Sequence, residues 1–267
     1  MAEWAQALVL FTILLASSVV GLLLRRFLRD RLSNREVMEL IQLVVTMLVT
    51  FAALVLGLVT TSAKASFDAI DNDIRGYASQ IIQFDRLLRE YGPEAEPARE
   101  MMRRYTAAAI ATTWTEEPPP PGYDPTLKVL PTTSSKSLET PSLGDLLNRV
   151  EQKVRALQPR DDTHRQLAED LLAMFRELIA QRWKLIEQAH GSISGPFLLV
   201  LEFWLAIVFL SFGLIGPRNA ISFTMILLAA LSIASVMFII LEFDSPFSGV
   251  IFVESGPLRN ALAHLNH

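Results

Sequence analysis

The chain contains no cysteine, which removes disulfides, iron–sulfur clusters and thiol nucleophiles and leaves the redox compartment open. Charge is scarce too: 19% of the 267 residues are charged and 51% are hydrophobic. A soluble domain would be about a quarter charged, so the shortfall points to surface that faces lipid. The net charge of −4, with no Lys/Arg stripe, excludes a surface that tracks nucleic-acid phosphates. Histidine is limited to His164, His190, His264 and His267. None stands at metal-ligand spacing, so no metal or cofactor is expected. No Ser/His/Asp arrangement, glycine-rich phosphate loop or HExxH is present, so the chain does not read as an enzyme.

What the sequence has is four long apolar runs. Trp4–Leu24 is apolar throughout and ends in a basic stretch. About 20 residues at roughly 1.5 Å each match the hydrocarbon thickness of a bilayer. A cleavable signal peptide would place its positive charge first. Here Glu3 precedes the run and the arginines follow it, which favours a retained anchor. A second span covers about Leu40–Thr61. Pro196–Ile215 and Ile221–Leu241 form a hairpin, interrupted by Gly216-Pro217-Arg218-Asn219, whose Gly and Pro stop one helix and release the next. Residues 25–35 hold Arg25, Arg26, Arg29, Arg31 and Arg35 against Asp30 alone. By the positive-inside rule this stretch is cytoplasmic, and Arg218 falls on the same side. Both termini and the insert of residues 62–195 then lie outside the cytoplasm of a cell (inner) membrane. Lys64, Arg75, Arg182 and Lys184 on the flanks of the insert pull the other way.

No proline occurs between Glu36 and Tyr91, so the second span is expected to continue as one helix beyond the membrane. There Phe67, Ile70, Ile74, Tyr77, Ile81, Phe84, Leu88 and Tyr91 alternate in steps of three and four, a coiled-coil-like seam. Gly92-Pro93 ends it. A helix over about Glu96–Trp114 carries a weaker stripe through Met101, Met102, Tyr105 and Ala109. About 116–141, rich in Pro, Ser and Thr, reads as an exposed, mobile loop. A helix from Pro141-Ser142 aligns Leu143, Leu146, Leu147, Val150, Val154 and Leu157. Another, about Thr163–His190, is capped by Asp161 or Asp162. Single apolar stripes of this kind are stable only when packed together, which predicts a helical bundle.

Connectivity places the end of the second span, the start of the third and the end of the fourth at one membrane face. Thr60, Thr61, Ser62, Lys64, Asp68, Glu202, Glu242 and Asp244 therefore share a layer. Glu202, about six residues inside a span, costs on the order of 2–3 kcal/mol there and must face protein, water or a partner. Two readings stand. The layer anchors helix ends through Lys64 and the acids, or it is the vestibule of an ion path. An acidic mouth concentrates cations. The threonines of the second span, Thr46, Thr50 and Thr60, suit either a narrow pore wall or helix packing.

The stretch Asp244-Ser245-Pro246-Phe247-Ser248-Gly249, followed by Pro257-Leu258, resembles the closing signature of the bestrophin-like domain family of bacterial and plant membrane proteins. Phe67–Tyr91, Arg99–Tyr105 and Ser211-Phe212-Gly213-Leu214 are similar as well. The resemblance implies a two-plus-two arrangement of spans around a helical insert. True bestrophins are pentameric anion channels with an axial pore lined by the second span and a large cytoplasmic domain. The acidic calcium-clasp run and aromatic neck of those proteins are not found in this chain.

The expectation is thus an all-α integral membrane protein: spans over 1–61 and 196–241, a soluble insert over 62–195, and an interfacial segment over 242–267. Its partners are the bilayer, further copies of itself (a pentamer by analogy) and ions. The leading function is an ion channel, with Thr46, Thr50, Thr60, Lys64, Glu202, Glu242 and Asp244 along the path. The alternative is a non-conducting scaffold or sensor that binds a partner through its bundle.

Overall fold

Apolar runs and heptad seams become helices: in the computed structural model, which describes residues 3–27, 35–125, 141–189, 195–217 and 219–267, every regular element is helical. In chain order these are α1 (Glu3–Phe27), α2 (Arg35–Tyr91), a 3-10 turn at Pro93–Ala95, α3 (Glu96–Thr113), α4 (Pro141–Arg155), α5 (Asp162–Gln188), α6 (Gly195–Ile215), α7 (Ala220–Asp244) and α8 (Gly256–Leu265). Arg29, Asp30, Arg31, Arg218, His190 and residues 126–140 lie outside the described residues. The chain forms two units, Met1–Ser66 with Ser192–Asp244, and Phe67–Gly191 with Ser245–His267.

In the first unit α1, α6, α7 and the first part of α2 are long and apolar enough to cross a membrane. Helix is the form a single segment must take there, because it bonds all its own backbone groups. The unit's core joins Leu10 and Leu14 of α1, Ala52 of α2, Leu201, Leu205 and Phe209 of α6, and Ala230 and Met237 of α7. The tightest contact is between α1 and α6. A Cβ on Gly21 would land on the Leu210 carbonyl oxygen, and one on Gly213 would land on that of Ser18. Two helix backbones therefore touch, as at the small-residue interfaces of membrane helices.

In the second unit the seam of α2 is buried as its spacing requires, with Ile74, Ile81, Phe84 and Leu88 fully enclosed. Tyr77 and Tyr105 join α2 to α3 through their hydroxyls at 2.6 Å, and the Phe84 and Phe175 rings meet at 5.8 Å. Asp161 caps α5 by accepting from the His164 backbone N–H at 2.8 Å. The stripe expected for α3 is too narrow. Tyr105 through Ile110 are all buried, because a run of alanines and threonines lets neighbours approach from every side.

Two further expectations fall wholly or partly on described residues. At the start of the Pro-rich stretch Glu116, Pro118, Pro119 and Pro121 are exposed and Pro120 is buried, and Arg259 holds Glu117 and the Pro118 carbonyl. The last residues, expected as one segment over 242–267, divide between the two units. From Ser245 they join the second unit, and α8 buries Leu258, Ala261, Leu262 and Leu265 there.

Candidate functional site

Helix α2 buries little of its spanning part. Ala52, Val59 and Ala63 are enclosed, while Leu43, Met47, Leu54 and Leu58 are exposed. Next to the packed side runs a second stripe in steps of four and three: Thr46, Thr50, Ala53, Gly57, Thr60 and Lys64. All are exposed except Thr60, which is half-buried. Every residue of this face is small or polar, while most other exposed residues of the span are Leu, Val, Met and Phe.

The hydroxyls are not free to turn outward as donors. Thr46 Oγ1 donates to the Gln42 carbonyl at 2.8 Å, Thr50 Oγ1 to that of Thr46 at 2.9 Å, and Thr60 Oγ1 to that of Leu56 at 2.7 Å. Such bonds to the carbonyl four residues back satisfy the proton where no water is at hand. Each hydroxyl oxygen keeps lone pairs that can accept a further bond. A surface of this kind accepts hydrogen bonds and offers partial negative charge.

At the far end of the stripe the Lys64 ammonium lies 5.5 Å from the centroid of the Phe243 ring, a cation–π contact that ties α2 to α7. Phe243 is flanked by Glu242, which is buried, and Asp244, which is half-buried at the end of α7. Glu202 stands on α6, half-buried, between Leu201 of the core and exposed Phe203. Among the described residues Glu202 makes no ion pair. The structure thus brings Lys64 to the segment that holds Glu242 and Asp244, and leaves Asp68 in the other unit. No group of His, Asp or Glu suited to a metal ion occurs among the described residues.

The residues of the closing signature fall largely in the second unit. The Pro246 carbonyl accepts the Val253 N–H at 2.8 Å, and Phe247 meets Trp114 edge to face at 5.5 Å. Gly249 has φ +97°, a left-handed turn that a side chain would strain. Pro257 opens α8, and Leu258 is buried in the bundle core. The Trp114 indole N–H donates to the Val253 carbonyl at 2.6 Å. Glu117, the start of the Pro-rich run, accepts from the Ser255 hydroxyl and from Arg259 Nε at 3.1 Å. Though burial opposes ionisation, Ser255 and Arg259 together hold this carboxyl below its ordinary value.

Sequence reasoning passed over Ala53 and Gly57 of the stripe, the Phe243 partner of Lys64, and the Gly21–Gly213 contact. The first pair was detectable, since both sit on the three–four spacing of the threonines. The others depend on which helix lies opposite.

A family model for the Bestrophin-like domain matches residues 10–258. Among solved structures, the chain is similar to a single-substitution variant of a bacterial bestrophin homologue from Klebsiella pneumoniae. The TM-score is 0.67 at 13% identity, covering 99% of this chain and 97% of that one. A second variant of that homologue gives 0.64 at 13% identity, with 97% of each chain covered. A structure described as a membrane protein gives 0.65 at 12% identity over 97% of each chain. None of the curated protein sequences matches.

Proposed function

The chain belongs to the Bestrophin-like domain family, and from that premise we propose that several copies assemble in the membrane around an ion path lined by the Thr46–Lys64 stripe of α2. The observation that carries this reading is a face of small and polar residues left open along a span where most other exposed residues are large and apolar. One helix cannot enclose water, so the path requires copies arranged about an axis, with a pentamer as the number the family suggests.

The path favours cations. Hydroxyl lone pairs replace part of the hydration shell of a cation but offer nothing to an anion. Glu202, Glu242 and Asp244 give the Lys64 end negative potential, which raises local cation concentration. Lys64 lies over the Phe243 ring, and its single positive charge is outnumbered by the three acids at this end. The four long apolar helices cross the bilayer, and the arginine-rich stretch between α1 and α2 faces the cytoplasm.

Purified protein in liposomes should pass K⁺ or Na⁺ in preference to Cl⁻, and Glu202→Gln should reduce that preference severalfold. Liposomes that stay silent in several salts, with fold and oligomer intact, would overturn the channel reading.

A further inference from the structure

We propose that the membrane unit holds an anionic phospholipid in the crevice between α2, α6 and α7, with the lipid phosphate on Arg25. The crevice has a volume of about 670 Å³, inside the roughly 300–1,000 Å³ range of small-molecule sites. Its lining changes character with depth. Gly216 and Ser222 lie at the helix ends beside Ile215 and Ile221, and Gln42, Val45 and Thr46 come next along α2, Thr46 being also the first residue of the α2 stripe. Phe212 and Ala229 line the interior.

Arg25 does not line the crevice itself but is bonded to Gly216, which does. Its Nη1 donates to the carbonyl of Gly216 at 2.6 Å, and Gly216 lines this crevice and its neighbour on the α1 side alike. That bond anchors the guanidinium while engaging one of its five N–H donors. Among the described residues no carboxylate pairs with Arg25, and Glu39, an acid at the same end of α2, pairs with Arg35 at 2.9 Å. A planar fork with unengaged donors fits two phosphate oxygens at once.

Polar groups near the helix ends and an apolar wall further in suit a phospholipid. The guanidinium takes the phosphate. The Gln42 amide and the Ser222 hydroxyl lie at the level of the glycerol esters, where they can donate to ester carbonyls. The wall of Phe, Ile, Met and Ala side chains takes an acyl chain. Charge complementarity at Arg25 distinguishes an anionic headgroup from a zwitterionic one, whose own cation would face Arg25 and exposed Arg26.

The test is native mass spectrometry of the detergent-purified protein after incubation with equal amounts of dioleoylphosphatidylglycerol and dioleoylphosphatidylcholine. Phosphatidylglycerol should be retained in excess. Arg25→Gln should lower that preference about fivefold, the factor corresponding to about 1 kcal/mol per basic residue near an anionic surface. Met225→Trp, a change at an exposed lining residue, should reduce retention of both lipids at unchanged subunit number. Equal retention of the two lipids by the unaltered protein overturns the proposal, as does an Arg25→Gln variant with the same preference. A Met225→Trp variant that loses subunits while keeping its lipid would assign the crevice to a second copy and overturn it as well.

Discussion

A methyl group is the smallest addition a side chain can make, and at Gly213 there is no room for one. The position of its Cβ is taken by the carbonyl oxygen of Ser18, and the reciprocal clash occurs between Gly21 and Leu210. Rigid backbone, unlike the tip of a side chain, cannot step aside. Gly213→Leu should therefore push α1 from α6 and cost about 3 kcal/mol, at the upper end of overpacking effects, read as a fall in unfolding temperature in detergent. Gly57 is the control. Nothing lies within 4 Å of its added Cβ, so Gly57→Ala should keep stability or raise it by up to about 1 kcal/mol through helix propensity. If both glycines respond alike, the α1–α6 contact is not what constrains Gly213. Neither role is visible in the sequence, where both are glycines within apolar runs. The difference lies wholly in what stands opposite.

Helix α8 is held at both ends by charges that suit its dipole. At its start the Glu117 carboxylate accepts from Ser255, the residue before the first turn. At its end Arg89 and Arg99, both paired with buried Asp85 at 2.7 and 2.9 Å, donate to the carbonyls of His264 and Leu265. Negative charge at a helix N-terminus and positive charge at its C-terminus are each favourable. Because Glu117 sits below its ordinary carboxyl value, its contribution is complete above the unfolded value of about 4.3 and is lost as pH falls through the lower folded value. Amide exchange in α8 should thus rise on acidification below that point. Glu117→Gln should raise exchange already at neutral pH, with a loss of about 2 kcal/mol from a charged hydrogen bond. Exchange that is independent of pH and unmoved by the substitution would remove Glu117 from this role. At this scale the sequence was most informative where periodicity is strong: the seam of α2 and the cap of α5 were both legible. It was least so where the contacts are long-range. Glu117 and Arg259 are 142 positions apart, so proline composition alone suggested a free loop.

At the scale of the whole molecule, hydropathy and connectivity were enough for four membrane-length helices and a helical insert, because lipid leaves the backbone few options. The division of the last residues was not legible, since Ser245 onward belongs with the bundle through side-chain contacts that no local pattern encodes. The absence of cysteine makes sidedness simple to measure. Cysteines placed at Ser33 and at exposed Ser79 should behave oppositely toward an impermeant maleimide added to intact cells, with Ser79→Cys labelled and Ser33→Cys protected. Labelling at position 33 alone would reverse the orientation. The interlocked glycines also bear on movement. A carbonyl lodged where a side chain should be acts as a pawl, so α1 cannot slide along α6 by even one residue without first separating from it. A conducting assembly would then have to open and close without shear between these two helices. Any such movement would fall to helices outside that pair, and among the four the spanning part of α2 is the least enclosed.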